Sequence, residues 1–186
     1  MNKERINIFD LSTYFENDSE LYSCIERSFY DLYRYDKYLI EIDPNNINID
    51  METVNEKLGK HYVGERSIVF RYAHYLQNEL YKSKKYSVYN LDCEYNRNGF
   101  QIKRTKHFLN GTFPDLILHK RGKNGPGNNI LIMEFKTYWN PNTDTDSLKI
   151  SDFVDQNGKY KYQYGLVVLI GKTLDETEFE VYKQSE

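Results

Sequence analysis

Apolar residues recur along this chain with two different periods, and the change from one to the other outlines its elements. Leu21, Ile25, Phe29 and Leu32 repeat at helical spacing directly after the N-cap signal Asn17 to Glu20, which predicts an amphipathic helix reaching about Tyr38. Tyr22, Tyr30, Tyr33 and Tyr35 widen its stripe. Asp43 to Asn46, with Pro44 inside, breaks the chain, and a short helix is expected over 51–58, closed by Gly59. A longer helix is expected from about Gly64 to Tyr81. Ile68, Val69, Tyr72, Leu76 and Leu80 fall on one side of it, and Glu65 falls on that same side near the N-terminus.

Beyond that helix the period shortens to two. Residues 86–95 read as a first strand, a second begins at Phe113, and 129–138 form a third whose run 130–133 is apolar on both faces. The Gly- and Asn-rich stretch 121–129 between the last two predicts an antiparallel hairpin. Asn140 and Pro141 end the third strand. A helix capped by Asp144 or Asp146 follows, with Leu148, Ile150, Phe153 and Val154 apolar, then a buried strand over 164–171 and a short edge strand over 179–182. The order from the long helix onward is α-β-β-β-α-β. The fold class expected is α/β, a mixed sheet flanked by helices, with residues 1–56 as an acidic helical extension packed on a core of 57–186.

Composition bounds these expectations. With 28% charged and 39% hydrophobic residues in 186, the chain suits one globular domain and neither disorder nor a membrane protein. No apolar run approaches spanning length, and no apolar segment follows the first residues as in a secretion signal. Cys24 and Cys93 stand alone without zinc spacing, so free thiols in a reducing cytoplasm are expected. The net charge of −3 hides an uneven distribution: −8 over residues 1–56, +9 over 57–136 and −4 over 137–186. Arg97, Lys103, Arg104, Lys106, Lys120, Arg121 and Lys123 crowd the middle segment, where Asp115 is the only acid between Arg97 and Lys123. Such a segment suits contact with a phosphate backbone.

The same segment carries the candidate chemistry. Pro114 and Asp115 are followed, after 18 residues, by Glu134, Phe135 and Lys136. Strand alternation places Ile130, Ile132, Glu134 and Lys136 on one face and Leu131, Met133 and Phe135 on the other. An acid and a lysine therefore emerge side by side at the end of a buried strand, and pairing with the preceding strand brings Asp115 to them. Two carboxylates offer hard oxygen ligands to Mg²⁺, and a neighbouring lysine can orient water or stabilise charge on a reacting phosphate. The pattern resembles the PD-(D/E)XK nuclease superfamily, with Pro114, Asp115, Glu134 and Lys136 at its signature positions and the α-β-β-β-α-β order agreeing over about 60–171. The resemblance implies a restriction-endonuclease-like fold and a Mg²⁺- or Mn²⁺-dependent nuclease acting on DNA. Asp115, Glu134 and Lys136 would be catalytic, with Asp115, Glu134 and an acid from the first core helix at the metal. Glu65 matches that acid, and Glu79 on the same face is the other candidate. Lys149, from the next helix, is a further candidate near the phosphate.

Other readings stand beside this one. Glu134 and Lys136 can form a plain ion pair closing a strand, and the basic residues can be solvated loop charges. Asp92 and Glu94 share a face and either join the site or line an edge strand. His107 and His119 are expected to assist phosphate contact or sit in solvent. The alternatives to a nuclease are a non-catalytic nucleic-acid-binding domain of the same fold and a protein-interaction module using the acidic, tyrosine-rich N-terminal helix. The extension is also expected to contribute to a homodimer or to cover part of the basic groove. No Walker loop, GxGxxG or GxSxG occurs, which removes nucleotide-hydrolase and serine-hydrolase readings.

Overall fold

The computed structural model describes residues 2–40 and 63–183. The expected short helix over 51–58 lies outside them. In chain order the elements are β1 (Asn2–Asn7), α1 (Leu11–Tyr14), α2 (Ser19–Tyr35), α3 (Glu65–Lys82), β2 (Asn90–Cys93), the short pair β3 (Arg97–Asn98) and β4 (Gln101–Ile102), β5 (Leu116–His119), β6 (Asn129–Thr137), α4 (Asp144–Val154), β7 (Tyr164–Ile170) and β8 (Glu178–Lys183). Six strands form one mixed sheet in the order β1-β8-β7-β6-β5-β2. Only β6 and β7 run parallel, joined by α4 as a crossover helix. The protein is thus mixed α/β.

Two apolar layers hold the sheet. On one face α2 and α3 deliver Leu21, Ile25, Phe29, Leu32, Ile68, Tyr72, Leu76 and Leu80 against Leu131, Met133 and Phe135 of β6. On the other, Ile150, Phe153 and Val154 of α4 meet Ile117, Ile132 and Val167. Each fully buried aliphatic or aromatic side chain contributes about 1.5–3 kcal/mol. Helix α4 packs directly over glycine at position 165 of β7. A Cβ there would come within 2.6 Å of both Ile150 and Val154.

Several boundaries differ from expectation. The helix expected to reach Tyr38 ends at Tyr35, and of its tyrosines only Tyr22 and Tyr33 pack on the core; Tyr30 and Tyr35 are exposed. The strand expected over 86–95 is only Asn90–Cys93, because Tyr86 turns inward to bond Asp18 and the chain before β2 coils around it. Strand β8 is not an edge: β1 pairs along its outer side. The first residues of the expected helical extension are therefore a strand of the same sheet. Arg5 and Lys3 of β1 pair with Glu180 across that junction. Thr143 rather than an acid takes the N-cap position of α4, without a side-chain capping bond, leaving Asp144 and Asp146 in the first turn, where they favour the positive end of the helix dipole.

Candidate functional site

Four elements meet where β6 outruns its neighbour. The β5–β6 ladder begins at Leu116 opposite Met133, so the β6 backbone beyond Met133 lacks a strand partner on that side. Asp115 lies immediately before β5 rather than in it, following the buried Pro114, and its Oδ2 accepts the N–H of Phe135 at 2.8 Å. This side-chain bond replaces the missing ladder bond and pins the carboxylate beside Glu134.

Glu134 is buried, pointing to the α4 side of the sheet. Its Oε2 accepts from Lys149 Nζ at 2.5 Å, while its Oε1 has no hydrogen-bond partner among the described residues. Lys136, two residues on, places Nζ 3.2 Å from Glu65 Oε1, 3.1 Å from Asp146 Oδ2 and 3.2 Å from the carbonyl of Phe135. Lys149 also reaches Asp146 Oδ1 at 3.6 Å and the carbonyl of Phe113 at 3.4 Å. Asp146 thus faces both lysines. Four carboxylates and two ammonium groups form one cluster, leaving two negative charges uncompensated when all six are ionised.

The electrostatics reflect that excess. Burial, and then the charge of Asp115, pushes the Glu134 carboxyl well above the usual range despite Lys149. Burial also raises Asp115, against the Phe135 N–H and the two lysines, and raises Glu65, against Lys136. Burial alone would lower both lysines, yet Lys136 is raised, chiefly by Asp146 and then Glu65, and Lys149 is raised chiefly by Glu134. The site therefore favours added positive charge, whether as protons or as a cation.

The donor chemistry fits a hard divalent ion. Asp115, Glu134 and Glu65 supply carboxylate oxygens, and the orphaned Oε1 of Glu134 is a buried acceptor awaiting a partner. Among the described residues, no group of three or more His, Cys, Asp or Glu side chains is gathered tightly enough to hold an ion as it stands. The ammonium of Lys149 sits on Glu134 and that of Lys136 on Glu65, so ion binding requires these lysines to yield.

The sequence-predicted residues separate into those gathered here and those elsewhere. Asp115, Glu134, Lys136, Glu65 and Lys149 converge. Glu79 does not; it pairs with Lys82 and Arg27 between α2 and α3. Lys103 turns inward, with Nζ on the carbonyl of Tyr95 at 2.9 Å and over the Tyr95 ring, and burial lowers it to about 8. It is withdrawn from the surface on which a phosphate would bind. Lys120, Arg121 and Lys123 lie beyond the far end of β5, about 15 Å from Asp115 at strand spacing. Arg121 forks onto Asp92. Arg97 and Arg104 are exposed, the former on the small β3–β4 hairpin, and Lys106 lies 3.7 Å from Asp152. The basic residues are thus distributed over several surfaces, because the chain between β2 and β5 crosses the α4 face before returning. His119 is buried against Asp92 rather than sitting in solvent, whereas His107 is exposed, with Nδ1 2.8 Å from Asp152. Asp92 belongs to that pair rather than to the site, while Glu94 pairs with Arg66 at the rim.

Asp146 is the member that sequence reasoning treats only as a cap or an ion-pair partner. Its spacing from Lys149, three residues along a helix, signals a shared face; that the face looks onto β6 depends on the parallel crossover. Comparison of the chain with protein-family models, curated proteins and solved structures finds no match.

Proposed function

We propose that this protein is a metal-dependent nuclease that hydrolyses phosphodiester bonds, with DNA as its substrate. The observation that carries the reading is the buried Glu134 with a carboxylate oxygen unpartnered among the described residues, set beside Asp115 and two residues from Lys136 on the same strand face. Support for the PD-(D/E)XK assignment also comes from the order α3, β2, β5, β6, α4, β7, once the two-residue strands β3 and β4 are set apart. Asp115, Glu134 and Glu65 would hold Mg²⁺ or Mn²⁺, which lowers the pKa of water and withdraws charge from the scissile phosphate.

The remaining work falls to this chain's own side chains. Lys136, once released from Glu65, can orient the attacking water and stabilise negative charge building on the phosphate oxygens. Asp146 is the leading support for a charged Lys136 and lies within ion-pair reach of both lysines. In the reaction a water oxygen bonds to phosphorus, the bond to the leaving sugar oxygen breaks, the water gives up a proton to solvent, and the leaving oxygen takes one from solvent to end as a hydroxyl. A second reading, a nucleic-acid-binding domain of the same fold without turnover, is favoured by the seating of Lys149 directly on Glu134.

Cleavage of plasmid and linear DNA with Mg²⁺ or Mn²⁺, comparing wild type with Lys136→Ala, separates the two. Metal-dependent cutting that falls about 10²–10³-fold in a folded variant is expected. Salt-dependent binding with no cutting by either protein would transfer the conclusion to the binding domain.

A further inference from the structure

The carboxylate cluster opens into a cleft of about 320 Å³ lined by Glu65, Arg66, Val69, Phe70, Cys93, Glu94 and Asp115. A neighbouring hollow shares Glu65, Arg66, Glu94 and Asp115 and adds Phe113. The cleft wall on α3 is set by helical spacing: Arg66 and Phe70 are four residues apart and project from one face, next to Glu65 and Val69.

Two large aromatic rings stand open at this site. Phe70 is 66% exposed and Phe113 51%, although both adjoin lining residues of a deep polar cluster. Phe113 is tied to the site through its carbonyl, which accepts from Lys149. Arg66 is 86% exposed and is the one cation among the described lining residues, held 2.7 Å from Glu94. Glu94 itself adopts a left-handed backbone (φ 50°), uncommon for a glutamate, and its N–H donates to the carbonyl of Asp115. The rim is therefore fixed to the same backbone that fixes the candidate ligand.

Among the described residues this lining is poor in the charges that track a duplex. Neutralising a double-stranded backbone takes several Lys and Arg along a surface, and here Lys120, Arg121 and Lys123 lie at the far end of β5. Exposed aromatic rings beside a single arginine suit a different ligand, because every base offers a flat face for stacking and its phosphate needs only one guanidinium. We infer that this cleft binds an unpaired nucleotide of a single-stranded nucleic acid, its base stacked on Phe70 or Phe113 and its phosphate met by Arg66. The inference rests on the nuclease reading, since it places that phosphate beside Asp115 and Glu134.

Fluorescence anisotropy of labelled 12-nucleotide DNA and RNA strands, and of the matching duplexes, tests it, with Ca²⁺ in place of Mg²⁺ to permit binding without turnover. Single strands are expected to bind at least about tenfold tighter than duplexes, and of Phe70→Ala and Phe113→Ala the variant lacking the stacking ring is expected to weaken strand binding about tenfold. Phe70→Trp should retain binding, which a merely structural effect of the alanine would not explain. Both phenylalanines are largely exposed, so the alanine variants should melt as wild type does. The DNA and RNA arms distinguish the two sources of the strand. Duplexes bound as tightly as single strands, or alanine variants that bind as wild type does, would overturn the inference. If duplex cutting is lost in Lys136→Ala while the phenylalanine variants cut normally, the inference fails and the nuclease reading stands. If strands bind through Phe70 and Phe113 but no metal supports cutting, the inference stands and catalysis fails.

Discussion

Glu134 and Glu180 make an instructive pair. Both are buried, both point from neighbouring parts of one sheet toward α4, and both meet side chains of its first turns. Around Glu180 every oxygen is answered: Oε1 accepts from Arg5 at 2.6 Å and Thr143 at 2.9 Å, and Oε2 lies 2.6 Å from Ser147 and 2.8 Å from Lys3. Burial alone would raise that carboxyl, but these bonds outweigh it and lower it to about 2. Around Glu134 one oxygen is orphaned, a second acid stands nearby, and the carboxyl is pushed up instead. The same residue type at the same depth is a finished structural joint in one place and an unfinished site in the other. Burial of a carboxylate says little about function by itself; the number of donors provided for it says more.

Experiments that exchange the two behaviours give the sharpest tests. The largest effect is expected for Glu134→Gln, which should reduce metal-dependent cleavage about 10²–10³-fold and abolish the rise in melting temperature on adding Mg²⁺, while changing metal-free stability by no more than about 1 kcal/mol. Lys149→Met should follow. With its main counter-charge removed, Glu134 becomes an uncompensated buried anion, so the metal-free chain should lose about 3 kcal/mol in urea melts. Mg²⁺ should then stabilise this variant more than wild type, and an equal response would mean that lysine and ion do not compete. Glu180→Gln should cost about 2 kcal/mol through its weakened charge-assisted bonds, with the Mg²⁺ response unchanged.

The pH dependence should divide in the same way. A proton is held more tightly on Glu134 in the folded chain than in the unfolded one, so in EDTA its contribution is full below the ordinary value of 4.5 and declines as pH rises above it. Glu180 works oppositely: its contribution is full above about 4.5 and is lost as pH falls toward about 2. Subtracting the stability curves of Glu134→Gln and Glu180→Gln from wild type should yield slopes of opposite sign. The smallest effect is expected for Asp146→Asn, a fall in cleavage of about tenfold with the alkaline limb of the rate profile moved to lower pH, since Asp146 is the first support for a raised Lys136.

Much of the site was legible in the chain because it depends on short-range rules. Strand alternation alone puts Glu134 and Lys136 on one side of β6 with Ile132, and helical spacing alone puts the half-buried Glu65 on the side of α3 that carries its buried residues. The hairpin signal of 121–129 was enough to bring Asp115 to Glu134. Charge density was a poorer guide. Seven basic residues close in sequence suggested one surface, yet Lys103 is buried on Tyr95 and the 120–123 turn lies at the far end of the strand pair. Runs of like charge say nothing about direction where the chain lacks a regular period.

Local sequence, then, determined the main helices, the strands from β5 to β7, the inward face of each, and the acid and lysine at the end of β6, because dihedral periodicity and burial act within a few residues. That β1 is a strand and β2 a short one lay outside its reach. Tertiary structure alone decided which of two buried glutamates is satisfied. Donors for Glu180 come from β1 and α4, both more than 30 residues away along the chain. The roles of Asp146 and Lys149 depend on a parallel crossover that lays α4 over β6, helped by the missing side chain at Gly165. Such a partnership is set by how sheet and helix pack, and no local pattern records it.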